Sequence, residues 1–150
     1  MHSPINGSDV REAAKRIGGS VVHTPIVTSR LLNQWLGHNL CCKMESVQRV
    51  GAFKARGALN ALSHAVEQGT KISHVIANSS GNHAQAVAWA ASSLGLNSTI
   101  YMPSNVSKIK AQATASYGAQ VVFGETRDWV DMEVARRAKE PGTLWVPPYN

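Results

Sequence analysis

From His74 to Val146 the chain repeats one pattern: a short run of strand formers, a turn, then a segment of helical length. Strands are expected at His74–Asn78, Ser98–Met102, Gln120–Phe123 and Thr143–Val146. Helices are expected between them at about Asn82–Leu94, Val106–Tyr117 and Arg127–Lys139, with Gly95 and Gly118 as stops. Strands separated by whole helices cannot form tight hairpins. They require crossover connections, which give an α/β fold: a parallel sheet with flanking helices.

The preceding part is less regular. Residues 1–7 read as a loose tail, and Ser8 or Asp9 as the cap of a helix over Val10–Ile17 that Gly18-Gly19 stops. Val21–Thr28 reads as extended, since Pro25 disfavours helix there. Ser29 is the cap candidate for a second helix with Leu31, Leu32, Trp35 and Leu36 on its buried face and Gly37 at its end. Asn39–Glu45 reads as a strand that leads into a helix over Ala52–Gln68. In that helix Ala55, Ala58, Leu59, Leu62 and Val66 share one face. Gly69 breaks it, which sets the expected boundary between two lobes, residues 1–70 and 71–150.

Two polar segments stand out. Lys54 follows the Gly51 turn and opens the Ala52–Gln68 helix, where the dipole favours anions over cations. A surface lysine tolerates that position, whereas nucleophilic use of its amine calls for a desolvated setting, to which Phe53 could contribute. The second segment, Ser79-Ser80-Gly81-Asn82-His83, lies between the carboxyl end of a strand and the start of a helix. Open α/β sheets bind ligands there, and Gly81 permits close backbone approach. The plainer alternative is a helix cap by Ser80 or Asn82.

Charge and composition narrow the function classes. The formal charge of +6 is spread along the chain, without the aromatic interleaving of a nucleic-acid groove. It suits a phosphorylated cofactor and carboxylate substrates. Cys41 and Cys42 are adjacent and form neither a disulfide framework nor a metal-ligand spacing, so no metal site is expected. They read as small hydrophobes in a strand. Residues 1–7 lack the apolar core of a signal peptide and no stretch approaches the length of a membrane span, so the expected location is the cytoplasm, with no membrane partner. His23 and His64 read as packing or surface residues, and the four tryptophans as core or lobe contacts.

Gln48 to Ala58, with Lys54 inside it, resembles the cofactor-lysine segment of the fold-type II pyridoxal-phosphate enzymes, in the serine/threonine dehydratase and serine racemase branch. Ser79 to Gln85 resembles that family's loop beside the cofactor ring, and the similarity runs from His23-Thr24-Pro25 to Pro147-Pro148-Tyr149. The implied fold is tryptophan-synthase-beta-like, and the implied cofactor is pyridoxal 5'-phosphate. The resemblance implies that residues 1–70 belong to a large cofactor lobe, 71–150 form the small lobe, and the rest of the large lobe, with the phosphate loop, lies outside this sequence. Lys54 would bond to the cofactor aldehyde, Phe53 pack near the ring, and Asn82 bond its phenolic oxygen. Ser79, Ser80, Asn82 and His83 would form the substrate site, with Ser80 across the ring from Lys54 as a second catalytic residue.

The implied reaction is dehydration and deamination of a β-hydroxy amino acid (serine, threonine or hydroxyaspartate) to a keto acid and ammonia, in a homodimer when full-length. The same resemblance leaves open an amino-acid racemase, because a Ser80 hydroxyl could return the proton on the opposite face. A third reading is a non-catalytic α/β piece that associates with a partner chain, since the first two helices and Leu40–Met44 would expose apolar faces.

Overall fold

The computed structural model describes residues 5–149. The expected loose tail therefore falls partly outside the described residues, and its end is ordered differently. Helix α1 (Gly7–Ile17) is capped by Asn6, not by Ser8 or Asp9. The Asn6 side chain accepts from the Ser8 and Asp9 amides, and Asp9 Oδ2 accepts from Asn6 N at 2.8 Å. Asp9 is thus the reciprocal partner of a capping box.

Strands β1 (Ile26–Val27) and β2 (Cys42–Lys43) pair antiparallel and are far shorter than the extended runs expected there. Both thiols are free; Cys42 is half-buried in β2 and Cys41 is exposed outside it. Between the strands, α2 (Arg30–Leu36) is capped by Ser29 as expected and ends at Gly37 with φ +69°. The expected burial of its apolar face does not hold: Leu31 is 69 % exposed and Trp35 83 %, because no described element packs on that face.

Helix α3 (Lys54–Glu67) buries Ala55, Ala58, Leu59 and Leu62 on the predicted face, while Val66 at its last turn is exposed. The regular part follows the alternation closely: β3 (His74–Asn78), α4 (Asn82–Ser93), β4 (Ser98–Pro103), α5 (Lys108–Ser116), β5 (Gln120–Gly124), α6 (Arg127–Arg137) and β6 (Thr143–Trp145). The four strands pair parallel in the order β5-β4-β3-β6. Alternation along β3 sends Val75 and Ala77 into the core formed with α3 and α4, and Ile76 to the opposite face beneath Val130 and Val134 of α6. The larger core runs without a break from Ile17 and Leu62 to Val87, Ile100 and Val146. It fixes α3 and α4 against one another, and so brings their amino-terminal ends together.

Candidate active site

Lys54 is the first residue of α3, and the chain on either side of it is tied down. Gln48 is buried, and its side-chain amide pairs with both backbone groups of Val22: Nε2 donates to the carbonyl and Oε1 accepts from the amide, each at 2.8 Å. Beyond the lysine, Arg56 binds Glu45 through two hydrogen bonds of 2.7 and 2.9 Å. Thr24 Oγ1 donates to the same carboxylate at 2.6 Å. Arg56 and Thr24 together hold the Glu45 carboxyl at about 2, well below its ordinary range. Val50 lies at φ 56°, uncommon for a β-branched residue, and Gly51 follows at φ 66°. This double left-handed turn reverses the chain into α3, which sets where Lys54 starts.

The Lys54 amine is half-buried and engaged. Its Nζ donates to the Pro148 carbonyl at 2.8 Å and lies 5.0 Å from the Tyr149 ring centroid and 5.7 Å from that of Phe53. It faces a cleft of about 390 Å³ whose opposite wall is the turn between β3 and α4. Of the predicted residues, Phe53, Lys54, Ser79, Asn82 and His83 all line this cleft. Ser80 is half-buried in the same turn but is not among the lining residues. Lys110, Pro148 and Tyr149 also line the cleft, and none of these was singled out from sequence as a site residue. Lys110 carries only the weak signal of a charge near the start of α5. The Pro148 contact spans 94 positions and has no local signal.

The turn itself answers the helix-cap alternative. Ser79 Oγ accepts from the Gly81 amide at 3.3 Å, and no side chain caps α4 among the described residues. The first amides of α4, at Asn82 and His83, therefore begin a helix whose positive end opens on the cleft. His83 is buried, and its Nε2 lies 2.9 Å from the Val146 carbonyl. A carbonyl only accepts, so Nε2 carries the proton in the neutral ring. Burial depresses the His83 pKa most; the Val146 carbonyl opposes this, and the charge of Lys54 lowers it further.

Among the described residues, no carboxylate lines the cleft. An amine, an aromatic wall and an uncapped helix start suit a ligand that joins an aldehyde to anionic groups. These residues fit pyridoxal phosphate at its ring and aldehyde.

Comparison with known proteins agrees. Residues 17–150 match the family described as "Pyridoxal-phosphate dependent enzyme". Over 146 residues the chain is 43 % identical to the L-threo-3-hydroxyaspartate ammonia-lyase of Saccharomyces cerevisiae, covering 95 % of this chain and 44 % of that protein. It is 39 % identical over 152 residues to the catabolic L-threonine dehydratase of Staphylococcus aureus, covering 97 % and 42 %. The crystal structure of a pyridoxal 5'-phosphate-dependent aspartate racemase superposes with a TM-score of 0.87 at 32 % identity, covering 98 % of this chain and 46 % of that one. The chain thus spans less than half the length of the curated relatives it matches. The parallel sheet, the cleft and the family match converge: the chain belongs to the pyridoxal-phosphate dependent enzymes.

Proposed function

We propose that the protein is a pyridoxal-phosphate-dependent ammonia-lyase that eliminates water from a β-hydroxy amino acid, after which hydrolysis of the dehydrated product takes up water, releases ammonia and leaves a keto acid. The observation that carries this reading is the half-buried Lys54 amine facing the uncapped start of α4 across one cleft. Lys54 would hold the cofactor through its aldehyde, with Phe53 beside the ring and Asn82 bonded to the ring oxygen. Residues 1–70 would belong to the large cofactor lobe and 71–150 to the small one, and full-length chains would pair as homodimers.

When bound, the cofactor delocalises the electron pair left at Cα once its proton is removed. The chain's own residues then orient and move protons. The amides at the start of α4, with Ser79, Asn82 and His83, would grip the substrate carboxylate. Lys54 Nζ, as the neutral amine, would accept the Cα proton on its lone pair while an N–H still donates to the Pro148 carbonyl. The imidazole of His83 is already committed to Val146 through Nε2, so it serves as a fixed wall and not as a mobile acid, and the donor His83 offers is its backbone amide. Ser80 is assigned to the face opposite Lys54.

Two named relatives support the substrate range: one acts on threo-3-hydroxyaspartate and the other on threonine. The likeness to an aspartate racemase, together with a serine at position 80, supports a second reading in which Ser80 returns the proton and inverts Cα. The two are separated by incubating the cofactor-loaded protein with L-threo-3-hydroxyaspartate, L-threonine and L-serine in deuterated water. Keto acid and ammonia in equal amounts support the lyase. Deuterium at Cα with inversion and no keto acid supports the racemase and overturns the first reading.

A further inference from the structure

Two walls of the cleft are the Ser79–His83 turn and the segment that follows β6, and one buried side chain touches the supports of both. Asn78 is the last residue of β3, directly before Ser79, and is 7 % exposed. Its side chain leaves the sheet on the α6 face, as the alternation after Ile76 requires. There Trp145 Nε1 donates to Asn78 Oδ1 at 3.0 Å, and Asn78 Nδ2 donates to Asp131 Oδ1 at 2.7 Å. An indole N–H only donates and a carboxylate only accepts, so the two partners fix the amide orientation. Trp145 is the end of β6, and Val146 next to it receives His83 while Pro148 receives Lys54. Asp131 is held in turn by Arg127 at 3.2 Å one helical turn away.

We propose that Asn78 is a positioning residue: its amide clamps the carboxyl ends of β3 and β6 to one another and to α6, and so sets the spacing between the substrate-carboxylate turn and the 146–149 segment that covers Lys54. Its catalytic part rests on the lyase reading; the mechanical part does not. An apolar residue of similar size at position 78 would fill the same space but leave the indole N–H without its acceptor and Asp131 Oδ1 without its donor. The two strand ends would then keep only their backbone ladder, with Val146 N donating to Ile76 O at 2.9 Å, and would lose the side-chain tie to α6.

The test uses matched substitutions that conserve volume. Asn78→Asp sets two carboxylates against one another, and adding Asp131→Asn restores a donor facing an acceptor, with Trp145 still served. Trp145→Phe, which keeps an aromatic ring but removes the donor, is the milder variant should Asn78→Asp not fold. The first readout is the set of backbone amide resonances of the chain. The single variants are expected to shift both 79–84 and 146–149, and the double variant to return both sets toward the wild-type positions. Shifts confined to one wall, or no restoration in the double variant, overturn the clamp. The second readout is kinetic, in the cofactor-loaded protein. KM for the amino acid is expected to rise about tenfold in the single variants and recover in the double variant, with the amount of cofactor reducible onto Lys54 unchanged. Parallel loss of kcat and of cofactor on Lys54, with KM unchanged, overturns the positioning role. A wild-type protein that never takes cofactor on Lys54 contradicts the lyase reading instead, and leaves the resonance test to decide the clamp.

Discussion

Lys54 Nζ donates to the carbonyl oxygen of Pro148 at 2.8 Å, and that bond joins the first residue of α3 to the segment leaving β6. Tyr149 lies over the same amine, 5.0 Å from ring centroid to nitrogen. The amine is therefore covered by the 148–149 segment, which lines the same cleft as the Ser79–His83 turn. A reagent reaching Nζ must move this cover or approach through the cleft.

Removing the ring should uncover the amine. A cation over an aromatic face is worth about 0.5–1 kcal/mol at exposed sites, so Tyr149→Ala should speed acylation of Lys54 by roughly two- to fivefold. The rate is followed residue by residue by mass spectrometry, with exposed Lys139 as the internal control. Equal acceleration at both lysines would point to general loosening and not to loss of the cover.

The Glu45–Arg56 pair predicts acid sensitivity of the segment around Lys54. Glu45 titrates at about 2 in the folded chain against an ordinary value of 4.5. The unfolded chain binds the proton first as pH falls. The stabilisation is therefore fully present above about 4.5 and is lost as pH drops toward 2. Glu45→Gln lacks it at every pH. Urea midpoints of the two proteins should differ at pH 6 and converge at pH 2.5, whereas a constant difference would exclude the linkage.

His83 predicts a second, milder dependence in the same direction. Its pKa is lowered below 6.5 in the folded chain, chiefly by burial, so the unfolded chain takes up the proton first as pH falls. Wild-type stability should rise with pH through the window just below 6.5, and His83→Gln should flatten that rise. Midpoints at pH 7.5 and 5.5 for both proteins make the comparison; identical slopes would contradict it.

Two glycines should fail for different reasons. A Cβ at Gly124 would overlap the Trp129 ring and come within 2.9 Å of Val130 Cγ2, so Gly124→Ala overpacks the α6 face and should cost about 1–3 kcal/mol. Gly51 has no neighbour closer than Ser46 O at 3.8 Å, but it sits at φ +66°. Gly51→Ala therefore pays only the left-handed penalty of about 1–2 kcal/mol. Denaturant titration gives both values, and the second substitution should also perturb the Lys54 environment while the first should not.

Much of this was legible in sequence where periodicity and punctuation agree. The β3–β6 unit follows the expected order, with ends within two residues of the expected ones, because each helix presents an apolar stripe and glycine follows closely after α4 and α5. Lys54, Ser79, Asn82 and His83 were legible through motif similarity, and they do meet at one cleft. The Asn6 cap was hidden by Ser8 and Asp9, which are equally good cap residues on composition. The exposed face of α2 has the same apolar spacing as a buried one, and spacing does not say what covers it. Gln48 pairing with Val22, Lys54 with Pro148 and Asn78 with Trp145 are long-range contacts whose partners no local pattern names.

The central claim is that Lys54 is the residue that takes the cofactor. Incubation with pyridoxal phosphate, borohydride reduction and peptide mapping test it directly. The account predicts one pyridoxyl group, on Lys54, lost in Lys54→Met. Incorporation at Lys110 or spread over surface lysines, with Lys54 unmodified, would contradict it.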